Sequence, residues 1–398
     1  MSATSSGSEV APAPAVVPAA RAPVVAMVGA GQLARMTQQA AIPLGVELRV
    51  LADGPGDPAV LAGARYETGS PDRLEDLRTL ADGADAVTFD HENVPPAHLQ
   101  ALEAEGVRLA PGAAAKRFAQ DKLHARTGLA ALGFPIPPFA QARTAADAER
   151  FAADHGWPLI AKTPRGGYDG RGVFALAGPD DAARALADHD GDDGLLLEPR
   201  LTLEQELAVI VARSAGGEAV VYPVVETVQQ DAMCREIVAP ADVAPEVAEQ
   251  ATELARAIAE AIGATGIMAV ELFLTPDGLL VNELALRPHN SGHYTIEGSV
   301  TSQFEQHVRA VLGWPLGSPA PTAPAVVTVN VVGPADGSDP AERIAAGLAV
   351  PGAHVHLYGK AARPGRKLGH VTVCGADPAA TRQAARTAAA RLEGTASA

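Results

Sequence analysis

The sequence predicts a chain of mixed α/β and α+β class, with an N-terminal Rossmann-like parallel sheet, a central α+β body and a small β-rich C-terminal piece. Three observations carry that expectation. Residues 23–30 form an apolar strand that runs into Gly29-Ala30-Gly31-Gln32-Leu33-Ala34, then a helical stretch to residue 44 and a strand over 47–51 ending at Asp53. This is the opening of a βαβ unit. Further on, apolar runs over 268–274 and 279–286 flank Thr275-Pro276-Asp277-Gly278, which is a hairpin signal. A Pro/Ala linker at 318–324 then introduces a last group of strands. The divisions that follow are a disordered extension at 1–22, domains at 23–115 and 116–317, and a small domain with a terminal helix at 318–398.

Composition narrows the function. Of the 398 residues 47% are apolar and 4% aromatic, so more than one core can form. A net charge of −16 argues against nucleic acid or an anionic membrane as partner. An anionic substrate must therefore meet local basic clusters. No apolar run reaches membrane-spanning length. Cys234 and Cys374 lack metal-ligand spacing and make no disulfide framework, which fits a reducing, cytoplasmic setting. The Ser, Ala and Pro of the first 22 residues have neither a basic start nor an apolar core, so they do not read as a signal peptide.

Taken in order, the first βαβ unit carries G-x-G-x-x-A with an acid about 20 residues on, close to a dinucleotide fingerprint. A strand over 86–89 ends in Asp90-His91-Glu92-Asn93, where open α/β sheets place ligands. A helix is expected from Gln120 to about Leu132, and an amphipathic helix over 144–155. The strand at 157–162 carries Lys162 in an apolar run. Gly166, Gly167, Gly170 and Gly172 follow in a stretch that also carries Arg165 and Arg171, a loop whose backbone N–H groups can converge on an anion. Its spacing is not that of a Walker loop. A strand ends at Glu198, and Glu206 opens a long strand to Arg213, paired with one at 219–225. A helix spans 245–263 and another 302–312. Lys360, Arg363, Arg366 and Lys367 lie between strands at 355–358 and 370–373, a basic cluster able to seat a phosphate.

The acidic hairpin is the most informative stretch. A three-residue loop would pair Thr275 with Leu279 and so set Glu271 opposite Glu283. Facing carboxylates in an apolar sheet repel, and a bound cation relieves that. Few oxygen ligands suit Mg²⁺, which keeps water and phosphate in its other positions.

In combination these segments resemble the ATP-grasp ligases, and more narrowly the N5-carboxyaminoimidazole ribonucleotide synthetases. The resemblance covers about residues 24–375. It rests on Gly31 through Met36, Glu92-Asn93-Val94-Pro95, Gln120 through Leu123, Arg165 through Gly172, Asn282-Glu283, Arg287 through His293, Thr301 through Glu305 and Arg363 through His370. It implies an ATP-grasp architecture and carboxylation of aminoimidazole ribonucleotide with ATP and bicarbonate, through carboxyphosphate. It further implies a homodimer and Mg²⁺ or Mn²⁺ on Glu271 and Glu283. Lys122 and Lys162 would meet ATP phosphates under a lid of Gly167, Tyr168, Asp169, Gly170, Arg171, Gly172 and Val173. Glu198, Pro199, Arg200 and Leu201 would meet the adenine, Glu206 the ribose, with Gln229 and Asn282 beside them. Gln32, Glu92, Tyr168, Arg171, Asn290, Ser291, Gly292, His293, Lys360, Arg366 and Lys367 would enclose the ribonucleotide, and Tyr168, Arg171, Arg287 and Lys360 would act at the reacting atoms. The chain departs from the family pattern at Ala34, Asp90-His91, Gln229, Leu286 and Tyr294. Three rival readings are a sister ATP-grasp ligase with another acyl donor or acceptor, such as formate, an oxidoreductase built on Gly29 to Asp53, and a nucleotide sensor without turnover.

Overall fold

The protein is described by a computed structural model over residues 21–167, 171–189, 191, 193–230 and 233–395. Among these residues the strands make three sheets. The first is parallel, in the order β3-β2-β1-β4, from β1 (Val24–Val28), β2 (Glu47–Ala52), β3 (Arg65–Thr68) and β4 (Ala86–Phe89). Every residue of β1 and β4 is buried, as expected of parallel strands covered on both faces.

The helix Gln32–Ala41 begins at Gly31, as the fingerprint predicts, but its N-terminus is already occupied. Gly31 N–H donates to Asp90 Oδ2 at 2.5 Å and Ala34 N–H to Asp90 Oδ1 at 3.3 Å. A Cβ on Gly31 would sit 2.6 Å from that carboxylate oxygen. The anion at this helix end is the chain's own Asp90, standing where the oxidoreductase reading needs a pyrophosphate.

The second sheet is antiparallel, β5 (Ala140–Ala142), β6 (Leu159–Lys162), β7 (Val173–Leu176) and β8 (Leu195–Pro199), in the order β5-β8-β6-β7. Its helix Ala145–His155 starts at a capping box between Thr144 and Asp147 and buries Phe151 against Leu159 and Leu197.

The third sheet is β9 (Gln205–Arg213), β10 (Ala219–Val221), β11 (Val225–Gln230), β12 (Met233–Ala239), β13 (Gly266–Thr275), β14 (Gly278–Ala285), β15 (Ala325–Val332), β16 (Ala353–Leu357) and β17 (Lys367–Gly375). The order is β14-β13-β9-β11-β12-β15-β17-β16, with β10 beside β9. The C-terminal strands thus continue the central sheet through the β12–β15 pairing. Two local expectations change. The strand read at 219–225 splits, because β10 leaves β9 after Val221 and β11 pairs β9 again from Val225. The helix read from Gln120 to about Leu132 runs Lys122–Ala131; its start moves because Asp121, at φ −136°, divides it from a preceding helix, Ala113–Gln120. Asp121 caps the second, accepting from His124 N–H at 3.0 Å.

The helix Gln303–Leu312 joins the first and third sheets. Val308 and Val311 pack with Val25, Met27 and Val50. Beside them, buried His307 accepts from Ile267 N–H through Nδ1 at 3.0 Å, so its Nε2–H donates to Thr88 Oγ1 at 2.8 Å. Burial, with Lys116 nearby, pushes its imidazole down to about 3. The native ring is neutral, whereas the unfolded ring takes a proton near pH 6.5. Its stabilising contribution is therefore complete above that pH and declines as pH falls from about 6.5 towards 3. His307→Ala strands two buried polar groups and should cost about 2–5 kcal/mol, read as a lower urea midpoint at pH 7.5. Between pH 6 and 4 the variant's stability should fall less steeply than the wild type's, by up to about 1.4 kcal/mol per pH unit; an unchanged slope would remove His307 from the acid response.

Candidate active site

The hairpin β13–β14 places Glu271 opposite Glu283, as expected, but by another route. Its turn holds only Pro276 and Asp277, so Thr275 pairs with Gly278 and Leu272 with Val281. Asn282 is then an extra residue, a bulge that moves the next pairing by one and restores Glu271↔Glu283. The burial pattern records the same event. Val281 and Leu284 are buried, while Asn282 and Glu283 between them both face outward. Alternation would have sent one of those two side chains into the core.

The facing acids are electrostatically tense. Burial, then Glu283 and Glu206, push the Glu271 carboxyl up to about 8, against Lys367 and Lys122. His289 Nε2 lies 3.3 Å from Glu271 Oε1. Its other ring nitrogen lies 2.8 Å from Ser291 Oγ and accepts from Ser291 N–H, so the Nε2 face is the donor. Burial, then Arg287 and Lys367, hold that imidazole down to about 3, so it meets Glu271 as a neutral donor.

Lysines come to the hairpin from two sides. Lys122, on the first turn of its helix, has Nζ 3.5 Å from Glu283 Oε2. Lys162 at the end of β6 donates to Asn282 Oδ1 at 3.0 Å and pairs with Glu198 Oε2 at 2.8 Å. Glu198 is almost fully buried and also accepts from Arg126 Nε at 2.6 Å. Burial alone would raise its carboxyl; Lys162 and Arg126 outweigh that and hold it below the usual range. Glu206 faces the same lysine, and burial pushes it up while Gln229 hydrogen-bonds it. Pro199 ends β8, and Arg200 N–H donates to Pro158 O at 3.2 Å, carrying the backbone on to Leu201.

On the opposite side Arg287 Nε stands 3.1 Å from Glu92 Oε1, and Lys116 Nζ donates to Glu92 Oε2 at 2.7 Å. Beyond the hairpin, both amide atoms of Asn290 and Nε2 of His293 are buried without a partner among the described residues. The neighbouring Ser291 and Gly292 are buried too. Lys367, at the start of β17, is near enough to act on Glu271, His289 and His293. Lys360 donates to Gln32 Oε1, bridging the C-terminal loop and the first helix. Arg366 NH1 instead turns back to Ala361 O at 3.1 Å, within its own loop.

Of the lid, Tyr168, Asp169 and Gly170 lie outside the described residues. Gly167, Arg171, Gly172 and Val173 are described, with Arg171 exposed at the lid's edge. Thr163 N–H donates to Gly172 O at 2.8 Å. A side chain on Gly172, at φ +74°, would collide with Thr163 Oγ1. Arg165 holds the lid base to Asp121 through NH2 to Oδ2 at 2.9 Å. Sequence reasoning missed Lys116, Arg126 and His289. A lysine four residues before Gln120, which puts both on one side of a helix, was the available signal for the first.

Residues 23–120 match the ribonucleotide synthetase preATP-grasp domain, 127–304 the ATP-grasp domain, and 326–384 the phosphoribosylaminoimidazole carboxylase C-terminal domain. The N5-carboxyaminoimidazole ribonucleotide synthase of Mycobacterium tuberculosis is 48% identical over 92% of this chain and 87% of its own length. That of Synechococcus elongatus is 39% identical over 93% of this chain and 94% of its own. Among solved structures, the Aspergillus clavatus synthase in complex with ADP and 5-aminoimidazole ribonucleotide superposes with a TM-score of 0.85 at 34% identity, covering 94% of this chain and 99% of that one. An ADP complex of an N5-carboxyaminoimidazole ribonucleotide synthetase gives 0.85 at 32% identity, covering 92% and 97%. With its hairpin acids, paired lysines and three-part chain, the protein belongs to the N5-carboxyaminoimidazole ribonucleotide synthase family of ATP-grasp enzymes.

Proposed function

We propose that this chain carboxylates 5-aminoimidazole ribonucleotide with ATP and bicarbonate, giving N5-carboxyaminoimidazole ribonucleotide, ADP and phosphate. The observation that supports it best is the Glu271–Glu283 hairpin set between Lys122 and Lys162 on one side and the Glu92–Arg287 group on the other. A bicarbonate oxygen attacks the γ-phosphorus of ATP as the bond to ADP breaks, forming carboxyphosphate. The substrate's amine nitrogen then bonds to the carboxyl carbon while the C–O bond to phosphate breaks and the amine proton departs. Lys122 and Lys162 spread positive charge along the phosphates, and Glu198 with Asn282 fix where Lys162 points. The lid carries Arg171 and excludes water from the short-lived carboxyphosphate. Glu206 and Gln229 take the nucleoside end. Asn290 and His293 keep unspent polar atoms for the ribonucleotide, with Lys360, Gln32, Lys367 and Arg366 around it.

The hairpin suits a divalent cation, Mg²⁺ or Mn²⁺. Two facing carboxylates, one of them pushed up to about 8 even with Lys367 and Lys122 acting against the rise, are a matched oxygen pair. Among the described residues no group of three His, Cys, Asp or Glu makes a fuller cage, which leaves positions for phosphate and water. Bound there, the ion would neutralise charge on the transferring phosphoryl group.

The reading is tested by ADP release with ATP, Mg²⁺, bicarbonate and aminoimidazole ribonucleotide, each omitted in turn. Release should require all four. ATP hydrolysis supported by formate or another acceptor instead would move the chain to a sister ligase, and nucleotide binding without turnover would make it a sensor. Glu283→Gln should lower kcat by at least about 100-fold. It should also abolish the ADP-dependent Mn²⁺ signal in electron paramagnetic resonance; retention of both would remove the metal assignment. The same reading carries a cytoplasmic homodimer, and no helix among the described residues is long and apolar enough to cross a membrane. Light scattering should give about twice the chain mass of 40.6 kDa, and a value at one chain mass would refute the dimer.

A further inference from the structure

Lys116 has no exposed surface. Its ammonium sits 4.2 Å over the Phe89 ring and donates to Glu92 Oε2 at 2.7 Å and His91 O at 3.0 Å. One turn along the same helix, Gln120 Nε2 donates to Glu92 O at 2.8 Å and Val94 O at 2.6 Å, so the helix Ala113–Gln120 grips the loop after β4 at two levels. Glu92 therefore lies between two cations. Its Oε2 is bonded to Lys116. Its Oε1 is 3.1 Å from Arg287 Nε, yet neither atom makes a hydrogen bond and both are buried.

A buried Lys–Glu pair is a poor device for stability alone, since apolar residues of similar volume serve as well or better. Its effect here falls on Arg287. With one carboxylate facing one guanidinium, the two close into a forked ion pair and spend both groups. With Lys116 present the trio carries one surplus positive charge.

We propose that Lys116 is a positioning residue for the ribonucleotide: it satisfies Glu92 at Oε2 and so keeps Glu92 Oε1 and Arg287 Nε available to that anionic ligand. This rests on the function proposed above. The groups facing Glu92 are Lys116 from its helix, Arg287 from the segment after β14, and His91 from its own loop. Burial would raise the Glu92 carboxyl; Lys116, then Arg287, outweigh it and hold it low.

The test compares Lys116→Met, which keeps length without charge, with Lys116→Arg, which keeps charge. Lys116→Met should raise KM for aminoimidazole ribonucleotide by about 10-fold or more, with kcat and KM for ATP within about 3-fold of wild type. Lys116→Arg should recover part of that KM. The acid limb of kcat/KM should move to higher pH in Lys116→Met, because Glu92 loses the cation that keeps it ionised. If Lys116→Met does not fold, Lys116→Gln, which keeps a neutral donor to Glu92 but loses the charge, should show the pH shift and a smaller rise in KM in the same direction. A folded variant with wild-type KM and an unmoved acid limb overturns the inference, as does a loss confined to kcat. Failure of the wild type to turn over aminoimidazole ribonucleotide overturns instead the proposed function.

Discussion

The acidic hairpin depends on one extra residue in one strand. Asn282 lengthens β14 by a single position against β13, and everything the hairpin presents follows from it. Without the bulge the two-residue turn would set Glu271 against Asn282, and alternation would send Glu283 towards the buried face. With it, Glu271 and Glu283 oppose each other, Glu283 stays in reach of Lys122, and Asn282 itself becomes an acceptor for Lys162. A bulge costs one ladder position and gains two outward polar side chains in succession. The repulsion it creates is offset in part by Lys122, Lys367 and the His289 N–H.

Those offsetting groups come from distant parts of the chain, and short rigid connections bring them together. The break at Asp121 lets Lys116 and Gln120 end one helix against the β4 loop while Lys122 opens the next towards Glu283. Lys122 N–H donates to Pro164 O, and Arg165 holds Asp121, so the lid base is tied to the same joint. The β12–β15 pairing carries the central sheet on to β17, whose first residue, Lys367, acts on Glu271. The hairpin lysines and the Glu92–Arg287 group are thus parts of one framework.

Much of this was legible in the residues. The βαβ opening, the lysine strand, the glycine lid and the acid pair all carry local signals. The Glu271–Glu283 register was read through a three-residue turn and is reached through a two-residue turn plus a bulge. One residue moved from turn to strand, and a count from sequence cannot tell where it sits. The β11–β12 hairpin escaped because Glu226, Thr227, Gln229 and Arg235 give it a polar look; its outer edges are paired by β9 and by β15, the latter far away in sequence. Lys116 escaped for a related reason. Ala113-Ala114-Ala115-Lys116 has no apolar period strong enough to show which face is inside, and its partner lies 24 residues upstream. His307 reads as one more polar residue on an amphipathic helix until Thr88 and Ile267 close on it.

The N-terminal sheet shows how a fingerprint can keep its geometry and lose its ligand. The helix dipole and free N–H groups at Gly31 and Ala34 favour an anion whatever its source. Asp90, at the end of the neighbouring strand β4, supplies one from within. Once that carboxylate is fixed, its strand can extend only into the loop that begins with His91, and Lys116 and Gln120 seize that loop at once. The cap therefore aims Glu92. A helix end that elsewhere holds a cofactor here holds the root of the loop that carries Glu92, so the Rossmann-like topology informs about placement and not about chemistry. Arg287, in the segment after the acidic hairpin, meets that loop at Glu92 and so ties the carboxyl end of β4 to the hairpin.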